Sequence, residues 1–317
     1  MTQFTANSHL TCVSCGADTP RPLFKKACAK QDIELLQCRI CSMVFLRPWQ
    51  KTGPIALYDY YGQRMHLKKN ELYSQATEAS FKELLEIFEK SGTRGKRILD
   101  VGCGDGHFID VCSKQGWDAS GIETSPSAVA LCRKFNLPVQ CLDLFSPELK
   151  PGSFNVITLF EVVEHVASPG PFLARAEELL ALGGMLYLTT PNFASIDSRI
   201  LKSDWYVVHW EHLNYFTPKA LKKLVCFHTK LAVKTLKTRN ISLGLLNNLV
   251  KGKKRNRPNP GKAYYNLNNP CVNQEQRLRE LASKLPVLGL AKKTVNGLLN
   301  LFGGGSTITL LTRKVYA

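Results

Sequence analysis

Four cysteines near the N-terminus have the spacing of a metal site. They form two Cys-x-x-Cys pairs, Cys12 with Cys15 and Cys38 with Cys41, separated by 22 residues. Each pair can turn two thiolates toward one point, and four thiolates form the tetrahedral donor set that Zn²⁺ takes in a closed structural site. The pattern predicts structural zinc without a catalytic role, because no coordination position stays open. Cys28 is an alternative ligand, and unrelated free thiols or a redox dithiol are the alternatives to a metal site.

Acids and histidines form two further groups. Glu161, Glu164 and His165 lie at positions i, i+3 and i+4, which is one face of the segment if it is helical. A second group surrounds His212, in the run HWEHLNYFTP. Such side chains can take a proton from a hydroxyl or amine, or hold a divalent cation that lowers the pKa of a hydroxyl. The alternatives are that the first group only braces a helix start and that Thr217-Pro218 is an ordinary helix start.

A glycine-rich turn predicts a ligand of nucleotide type. Gly102, Gly104 and Gly106 follow a short apolar strand and precede a helical segment. Backbone at such a turn approaches a ligand closely, and the helix presents N–H groups to it. Glu123 ends the next strand, about 20 residues later, where a carboxylate accepts hydrogen bonds from ribose hydroxyls. The third glycine of the dinucleotide fingerprint is missing, so a nicotinamide cofactor fits the pattern less well.

These residues must be positioned by a doubly wound α/β sheet, in which strands alternate with helices. The predicted strands are Arg97–Val101, Trp117–Ile122, Val139–Leu142, Phe154–Phe160, Gly184–Thr190, Leu231–Leu236 and Ser306–Arg313. The predicted helices are Gln63–Lys90, His107–Gln115, Ser127–Phe135, Pro169–Leu182, Gln274–Lys284 and Leu288–Phe302. A β-hairpin is also predicted around the second cysteine pair, with Glu34–Cys38 leading in and Met43–Leu46 leading out.

The motifs DVGCGDG and FEVVEHV and the strand-ending acids Glu123 and Asp143, at their mutual spacing, resemble class I S-adenosylmethionine-dependent methyltransferases. The resemblance covers roughly Arg97 to Leu236. It implies a seven-stranded Rossmann-like sheet of the α/β class whose last two strands form an antiparallel edge. The EVVEH motif is similar to that of ubiquinone-biosynthesis O-methyltransferases, in which the equivalent cluster is associated with a divalent cation. The run HLNYFTPKAL resembles a segment that closes over the substrate pocket in the same subgroup.

The resemblance also implies a role for each motif residue. Asp100 and the glycine backbone would hold the aminocarboxypropyl end of S-adenosyl-L-methionine, Glu123 the ribose and Asp143 the adenine amino group. The implied cofactor-binding residues are Asp100, Gly102, Gly104, Gly106, Glu123, Asp143, Leu144, Phe160 and Glu161, with Leu144 flanking the adenine and Phe160 and Glu161 beneath the sulfonium. The implied catalytic candidates are Glu161, Glu164, His165 and His212, with a divalent cation at Glu161, Glu164 and His165. The alternatives are a helix cap for Asp143 and a surface acid for Glu123.

Charge is distributed unequally along the chain. Residues 1–211 carry 22 basic and 23 acidic residues, whereas residues 212–317 carry 20 basic and 2 acidic ones. This excess of positive charge in residues 212–317 predicts an anionic partner. The alternative is a basic face that is only solvated. Within residues 239–262 an apolar run precedes KGKKRNR, which is typical of an interfacial anchor on an anionic membrane. The same run could bind a sugar-nucleotide pyrophosphate or an RNA backbone, or form a disordered loop.

Domain organisation and localisation follow from these features. The predicted segments are a zinc-ribbon-like domain at 1–50, a helical lead-in at 51–95, the methyltransferase core at 96–238, a basic insertion at 239–305 and the last core strand at 306–317. The start of the chain has no basic-then-apolar leader, and no uninterrupted apolar stretch reaches about 18 residues. These observations predict a cytoplasmic protein that attaches peripherally to the inner face of the membrane. The eleven cysteines are then expected to be free or metal-bound.

The predicted function is O-methylation of a small anionic, glycan or lipid-linked acceptor by in-line displacement. The layout resembles bacterial methyltransferases of polysaccharide and secondary-metabolite pathways. Methylation of RNA or protein is one alternative, which the basic C-terminal third favours, although no RNA-binding module is recognisable. C-methylation of a deoxysugar nucleotide is another, because those enzymes also carry an N-terminal zinc site, but their C-terminal domain is longer. Cofactor binding without catalysis is the last alternative.

Overall fold

The computed structural model describes residues 11–18, 20–28, 32–47, 61–240 and 286–316. The strands are β1 (Pro20–Lys26), β2 (Ile33–Cys38), β3 (Val44–Leu46), β4 (Arg97–Val101), β5 (Asp118–Ile122), β6 (Val139–Gln140), β7 (Phe154–Phe160), β8 (Leu180–Pro191), β9 (Asn214–Tyr215), β10 (Leu231–Arg239) and β11 (Thr307–Lys314). The helices are α1 (Lys69–Leu72), α2 (Gln75–Lys90), α3 (His107–Lys114), α4 (Pro126–Lys134), α5 (Pro169–Leu179), α6 (Ile196–Leu201), α7 (Pro218–His228) and α8 (Pro286–Leu301), with 3₁₀ turns at Val163–His165 and Lys202–Asp204. The apolar run, the basic run and the helix predicted within 241–285 lie outside the described residues.

Within the described ranges, a central sheet has the strand order β10-β11-β8-β7-β4-β5-β6. Neighbouring strands from β8 to β6 are parallel, whereas β11 is antiparallel to both β8 and β10. The chain leaves β4 toward β5 and β6, then crosses to β7 and β8 on the other side. Ligands bind at the carboxyl ends of the strands where the strand order reverses in this way. The predicted α/β class and the antiparallel edge are confirmed.

The central sheet is buried because its strands are apolar on both faces. Ile98, Leu99 and Val101 of β4 are almost fully buried, which is typical of a parallel strand covered by helices on both sides. The helices that cover it begin at polar caps, of which two examples are Ser125, whose hydroxyl accepts from the backbone N–H of α4, and Thr217, which does the same for α7. Among the described residues, no helix is long and apolar enough to span a membrane.

A second, N-terminal sheet joins the start of the described chain to a strand that follows the central strands β4–β8 in sequence. Its strand order is β1-β2-β3-β9, and β2 with β3 forms the predicted hairpin. β9 lies far along the sequence and pairs antiparallel with β3, with Val44 opposite Tyr215 and Phe45 opposite Asn214. Phe45 and Phe216 are buried in one core cluster with residues of the central sheet. The N-terminal sheet therefore packs on the core rather than standing apart from it.

Several element boundaries differ from those predicted. The helix predicted over Gln63–Lys90 is interrupted at Tyr73 and Ser74, where the backbone is extended before α2 begins. The helix predicted to reach Leu182 ends at Leu179, because the chain there enters β8 and pairs with β7. The third strand of the core is shorter than predicted, and β10 continues to Arg239 because it pairs with β11 along its length.

The insertion between β10 and β11 emerges at the carboxyl edge of the central sheet. Thr307, the first residue of β11, lies opposite both Arg239 at the end of β10 and Pro191 at the end of β8. The side-chain amide of Asn192 donates to the carbonyl oxygens of Gly303 at 2.9 Å and of Gly305 at 2.7 Å. The turn before β11 is therefore fixed to the end of β8.

Candidate active site and cysteine centre

The glycine-rich turn connects β4 to α3 in a conformation that requires glycine. Gly102 and Gly104 have φ values of +70° and +57°, in the left-handed region that side chains disfavour. A Cβ on Gly102 would lie 2.8 Å from Cγ2 of Val162, and one on Gly104 would lie 2.6 Å from the hydroxyl oxygen of Tyr61. The turn therefore leaves room for backbone alone, which is the condition for close approach of a ligand.

Glu123 ends β5 beside this turn. Its side chain is 5% exposed, and its carboxylate accepts hydrogen bonds from the backbone N–H groups of Thr124 at 2.7 Å, Ser125 at 3.0 Å and Gly104 at 3.1 Å. Oε1 takes the bonds from Thr124 and Ser125, whereas Oε2 takes the one from Gly104 and keeps an acceptor position for the ribose. Glu123 therefore fits the ribose role and also joins the end of β5 to the glycine turn.

Asp100 lies buried at the end of β4 and accepts a hydrogen bond from the Thr158 hydroxyl at 2.7 Å. Burial raises the pKa of Asp100 to about 7, and the charges of Glu123 and Asp105 act in the same direction. Arg64 approaches the carboxylate of Asp105 at 3.8 Å. The carboxylates of Asp100, Asp105 and Glu123 together favour a cationic ligand. The ammonium and sulfonium groups of S-adenosyl-L-methionine carry positive charge.

The turn after β6 carries the predicted adenine residues. Asp143 is exposed, and its carboxylate accepts from the backbone N–H of Phe145 at 2.7 Å, which fixes the turn locally. Leu144 is 1% exposed and packs in the main core, whereas Phe145 is 56% exposed. The Leu144 side chain therefore lies in the core rather than in position to flank a ring, because the chain turns it inward immediately after the strand. The structure places Phe145 as the exposed apolar side chain at this turn.

At the end of β7, Phe160 packs edge-on against Phe108 and Tyr187. Glu161 follows with φ of +54°, an uncommon conformation for a residue with a side chain and a type of strain that concentrates at functional sites. Glu161 is exposed, yet desolvation by the surrounding protein raises the pKa of its carboxyl group. Glu161 lies next to the glycine turn, because the following residue, Val162, packs against Gly102.

Glu164 lies in the 3₁₀ turn that follows β7. Its carboxylate is buried and accepts from the Thr190 hydroxyl at 2.9 Å. Burial raises the pKa of Glu164 well above its ordinary value, and the neighbouring charge of Glu161 raises it further. The protonated form is therefore favoured in the ligand-free site, and a cation placed beside this carboxyl group would reverse that preference.

The structure brings His165 and His212, which belong to different sequence groups, into edge-to-face contact at 4.6 Å between ring centroids. His165 is exposed, and its Nδ1 lies 3.0 Å from the carbonyl oxygen of Glu211. Because a carbonyl only accepts, Nδ1 carries the proton and Nε2 keeps its lone pair. His212 is 2% exposed, so it lies behind His165 rather than in the direct contact with substrate that the sequence predicts. The flanking segments turn it inward, toward His209.

Desolvation by the surrounding protein favours the neutral form of these imidazoles, including that of the exposed His165. It lowers the pKa of His165, and it lowers that of His209 to about 3. The pKa of His212 also falls well below its ordinary value, first through burial and then through His209 and His165. One donor atom each from Glu164, His165 and His212 lies within 4.8 Å of the others, a carboxylate–imidazole set that fits a divalent cation. Glu161 is outside this set, unlike in the predicted cation site.

Sequence reasoning missed the residues that cover the glycine turn from the lead-in. Besides Tyr61 above Gly104, the Tyr73 hydroxyl donates to the carbonyl oxygen of Asp105 at 2.8 Å. The Tyr73 ring stacks on His107 at 4.2 Å between centroids. The tyrosines before the first core strand could have indicated that aromatic side chains cover the glycine turn. Only the tertiary contacts show which of these tyrosines reach it.

The four predicted cysteines lie together at the edge of the N-terminal sheet. Sγ of Cys12 is 3.4 Å from Sγ of Cys41, and Sγ of Cys15 is 3.7 Å from Sγ of Cys38. Tetrahedral Zn–S bonds of about 2.3 Å would separate the sulfurs by about 3.8 Å, so the spacing is compatible with a zinc knuckle. Burial raises the pKa of the Cys12 and Cys41 thiols. A bound cation would supply the positive charge that buried thiolates need.

Comparisons with known proteins agree with this fold. Residues 72–226 match the family described as "Methyltransferase domain". Ubiquinone biosynthesis O-methyltransferases of Pseudomonas aeruginosa and Xanthomonas campestris are 30% identical over 113 residues and 34% identical over 106 residues. These matches cover 33% and 31% of this chain and 49% and 44% of the relatives, so the chain spans about half the length of the curated relatives it matches.

A solved SAM dependent methyltransferase from Archaeoglobus fulgidus has the same fold, with a TM-score of 0.50 at 15% identity over 81% of this chain and 99% of that one. The matched residues and this shared fold confirm the predicted class I methyltransferase fold. Within the chain, residues 72–226 form its methyltransferase domain.

Proposed function

We propose that this chain transfers a methyl group from S-adenosyl-L-methionine to a hydroxyl oxygen of a small acceptor, with His165 as the general base. The observation that carries the proposal is the His165 imidazole, which is exposed four residues after Glu161 and held in one tautomer by the carbonyl oxygen of Glu211. A base within reach of the acceptor proton contributes roughly 10²–10⁴-fold to the rate. The O-methyltransferase names of the curated relatives support oxygen as the acceptor atom.

On the cofactor side, the chain's own groups bind and orient. Asp100 would receive the positive charge at the amino acid end of the cofactor. Glu123 would hold the ribose, and Asp143 would hold the adenine amino group. When bound, the cofactor supplies a methyl group already activated by the sulfonium, so alignment and exclusion of water are what remain for the protein.

On the acceptor side, His165 takes the hydroxyl proton at Nε2 while Nδ1–H stays bonded to Glu211. The lowered pKa of His165 keeps this nitrogen unprotonated before the reaction. Glu164 and His212 pack behind the ring and fix its orientation. A divalent cation held by Glu164, His165 and His212 is the alternative to this base: it would occupy Nε2 of His165 and would itself lower the pKa of the acceptor hydroxyl.

The acceptor class is proposed from charge and resemblance. The excess of basic residues after His212 favours an anionic acceptor, of which a phosphorylated glycan or a lipid-linked sugar is the preferred type. Attachment of residues 239–262 to an anionic membrane is proposed from composition alone. The four-cysteine centre is proposed to hold structural Zn²⁺, in keeping with the sulfur spacing.

The function is tested with methyl-labelled cofactor and fractionated cell extract. We expect label in the small-molecule, glycan or lipid fraction with the wild-type chain, and roughly 10²–10⁴-fold slower transfer with His165→Asn at matched cofactor occupancy. Label in RNA or protein would replace the acceptor proposal, and a methyl group located on carbon by NMR of the product would replace O-methylation. Binding of cofactor without transfer to any fraction would contradict the enzymatic proposal itself.

A further inference from the structure

Both cysteine pairs are connected to one segment of the chain, which consists of β9 and the start of α7. The first pair is connected through Ser14 and the second through β3. On the first pair, the hydroxyl of Ser14, between Cys12 and Cys15, donates to the carbonyl oxygen of Ala220 in the first turn of α7 at 2.7 Å. On the second pair, the chain leaves Cys41 and enters β3, which pairs with β9. The segment is therefore held on both sides by the two halves of one proposed zinc site.

The contact between β3 and β9 is close and buried. The backbone N–H of Leu46 donates to the carbonyl oxygen of Leu213 at 3.1 Å, next to the register pair of Phe45 and Asn214. The N–H of Cys38 donates to the carbonyl oxygen of Met43 at 2.8 Å and closes the knuckle from which β3 starts. A change in the geometry of the second cysteine pair must therefore change the position of β3.

The opposite side of the same segment holds the turn that carries His165. The backbone N–H of Leu213 donates to the carbonyl oxygen of Glu164 at 2.9 Å, and the side-chain amide of Asn214 donates to that of Val166 at 2.7 Å. The carbonyl oxygen of Glu211 accepts from Nδ1 of His165. The residues before and after His165 and its own ring nitrogen are thus all bonded to residues 211–214.

We propose that the four-cysteine site is a positioning element of the acceptor half of the active site, acting on His165 through β9. Zinc at Cys12, Cys15, Cys38 and Cys41 fixes β3 and the start of α7, these fix residues 211–216, and those residues fix the tautomer and orientation of the His165 ring. The glycine turn and Glu123 have no part in this set of contacts among the described residues. Loss of zinc therefore disturbs His165 and leaves cofactor binding intact. The inference rests on the proposed zinc occupancy and on the proposed base.

The test compares zinc-loaded and chelator-treated full-length protein. Amide exchange of Leu213 is measured by NMR, the tautomer of His165 from its ring ¹⁵N shifts, and the affinity for S-adenosylhomocysteine by calorimetry. On zinc removal we expect at least tenfold faster exchange of Leu213, ¹⁵N shifts that move toward a mixture of tautomers, and a dissociation constant within about twofold of the loaded value. Unchanged exchange and unchanged His165 shifts after zinc removal would overturn the proposal.

Variants separate positioning from general unfolding. Cys41→Ser should reproduce the effect of chelation, Cys41→His should restore zinc content and the His165 spectrum, and the exposed Cys226→Ser serves as the control that changes neither. If zinc removal also abolishes cofactor binding, Asn214→Ala distinguishes positioning of His165 from general unfolding. This variant removes the hydrogen bond to Val166 and leaves the cysteines intact. We expect altered His165 shifts at full zinc content, and unaltered shifts would overturn the proposal.

The proposed function is judged separately, by label transfer with the untreated chain. Methyl transfer without zinc-dependent change at His165 contradicts this inference and leaves the function standing. Zinc-dependent change at His165 without methyl transfer to any fraction contradicts the proposed function and leaves the contact network standing. A chain that binds no zinc at the four cysteines overturns the inference alone.

Discussion

The cofactor half and the acceptor half of the site are assembled in different ways. In the cofactor half, the partners of Glu123 are the next two residues and Gly104, 19 residues away. In the acceptor half, His165 bonds to Glu211, 46 residues away, and Ser14 bonds to Ala220, 206 residues away. The contacts of Glu123 thus belong to one strand–turn–helix unit and the strand beside it, whereas those of His165 join parts of the chain that are distant in sequence. Changes in the N-terminal sheet should therefore reach the acceptor half alone.

The largest expected effect separates the halves by chemistry. Replacing His165 with Asn removes the proposed base while keeping a polar side chain near Glu211. Label transfer should fall by roughly 10²–10⁴-fold, because that is the contribution of a positioned base. The dissociation constant for S-adenosylhomocysteine, measured by calorimetry, should stay within about twofold. His66→Asn, at an exposed position of the lead-in, is the control with unchanged rate. An active His165→Asn chain would refute the assignment.

A second substitution should break the cofactor half. Glu123→Ala removes a buried carboxylate that accepts backbone N–H groups and is expected to accept ribose hydroxyls. Hydrogen bonds to charged groups contribute roughly 1.5–3 kcal/mol each, so the dissociation constant for S-adenosylhomocysteine should rise about a hundredfold or more. Asp118→Ala, an exposed acid on the same strand, is the matched control. Unchanged affinity in a folded Glu123→Ala chain, checked by circular dichroism, would show that the ribose acid is elsewhere.

The pH dependence of cofactor binding sharpens the electrostatic part of the comparison. Burial raises the pKa of Asp100 to about 7, so in the free protein this group is protonated below pH 7. A cationic ligand favours the ionised form, and binding below pH 7 must release that proton. The affinity should therefore be level above pH 7 and fall by up to about tenfold per pH unit below it. Calorimetry between pH 5.5 and 8.5 measures the profile, and Asp100→Asn should flatten it. A flat wild-type profile would count against a role for Asp100.

The smallest expected effect concerns the adenine end. Asp143 is exposed, and a single hydrogen bond there contributes roughly 0.5–1.5 kcal/mol. Asp143→Ala should therefore weaken binding of S-adenosylhomocysteine only about two- to tenfold in the same calorimetric measurement. Glu148→Ala, an exposed acid of the same loop, should have no effect. A hundredfold loss with Asp143→Ala would mean that the turn after β6 contributes as much as the end of β5.

Most of the fold and much of the cofactor half could be predicted, because their signals are local. The sequence of β4, the glycine turn and the acid at the end of β5 follow one another at fixed spacing, and the strand order follows from the class of sheet. The inward orientation of the Leu144 side chain was not predictable. Successive residues after a strand end face opposite sides, so a shift of one residue decides whether a side chain faces the core or a ligand.

The acceptor half was predictable only in its parts. Glu164 with His165 and the run around His212 were recognisable as separate groups, but nothing local states that they meet. The pairing of β9 with β3 joins residues about 170 positions apart, and such pairings are set by tertiary packing rather than by the pattern of either strand. For the same reason the burial of His212 behind His165 was not foreseen.

The turn before β11 is fastened to the end of β8, and β10 and β11 remain in register up to that point. A segment spliced between them can thus lengthen, shorten or diverge while every strand keeps its neighbours. The splice point lies at the carboxyl edge of the sheet, beside the strand end where Thr190 bonds Glu164. A change in the length of the insertion would leave that strand end, the glycine turn and Glu123 in place.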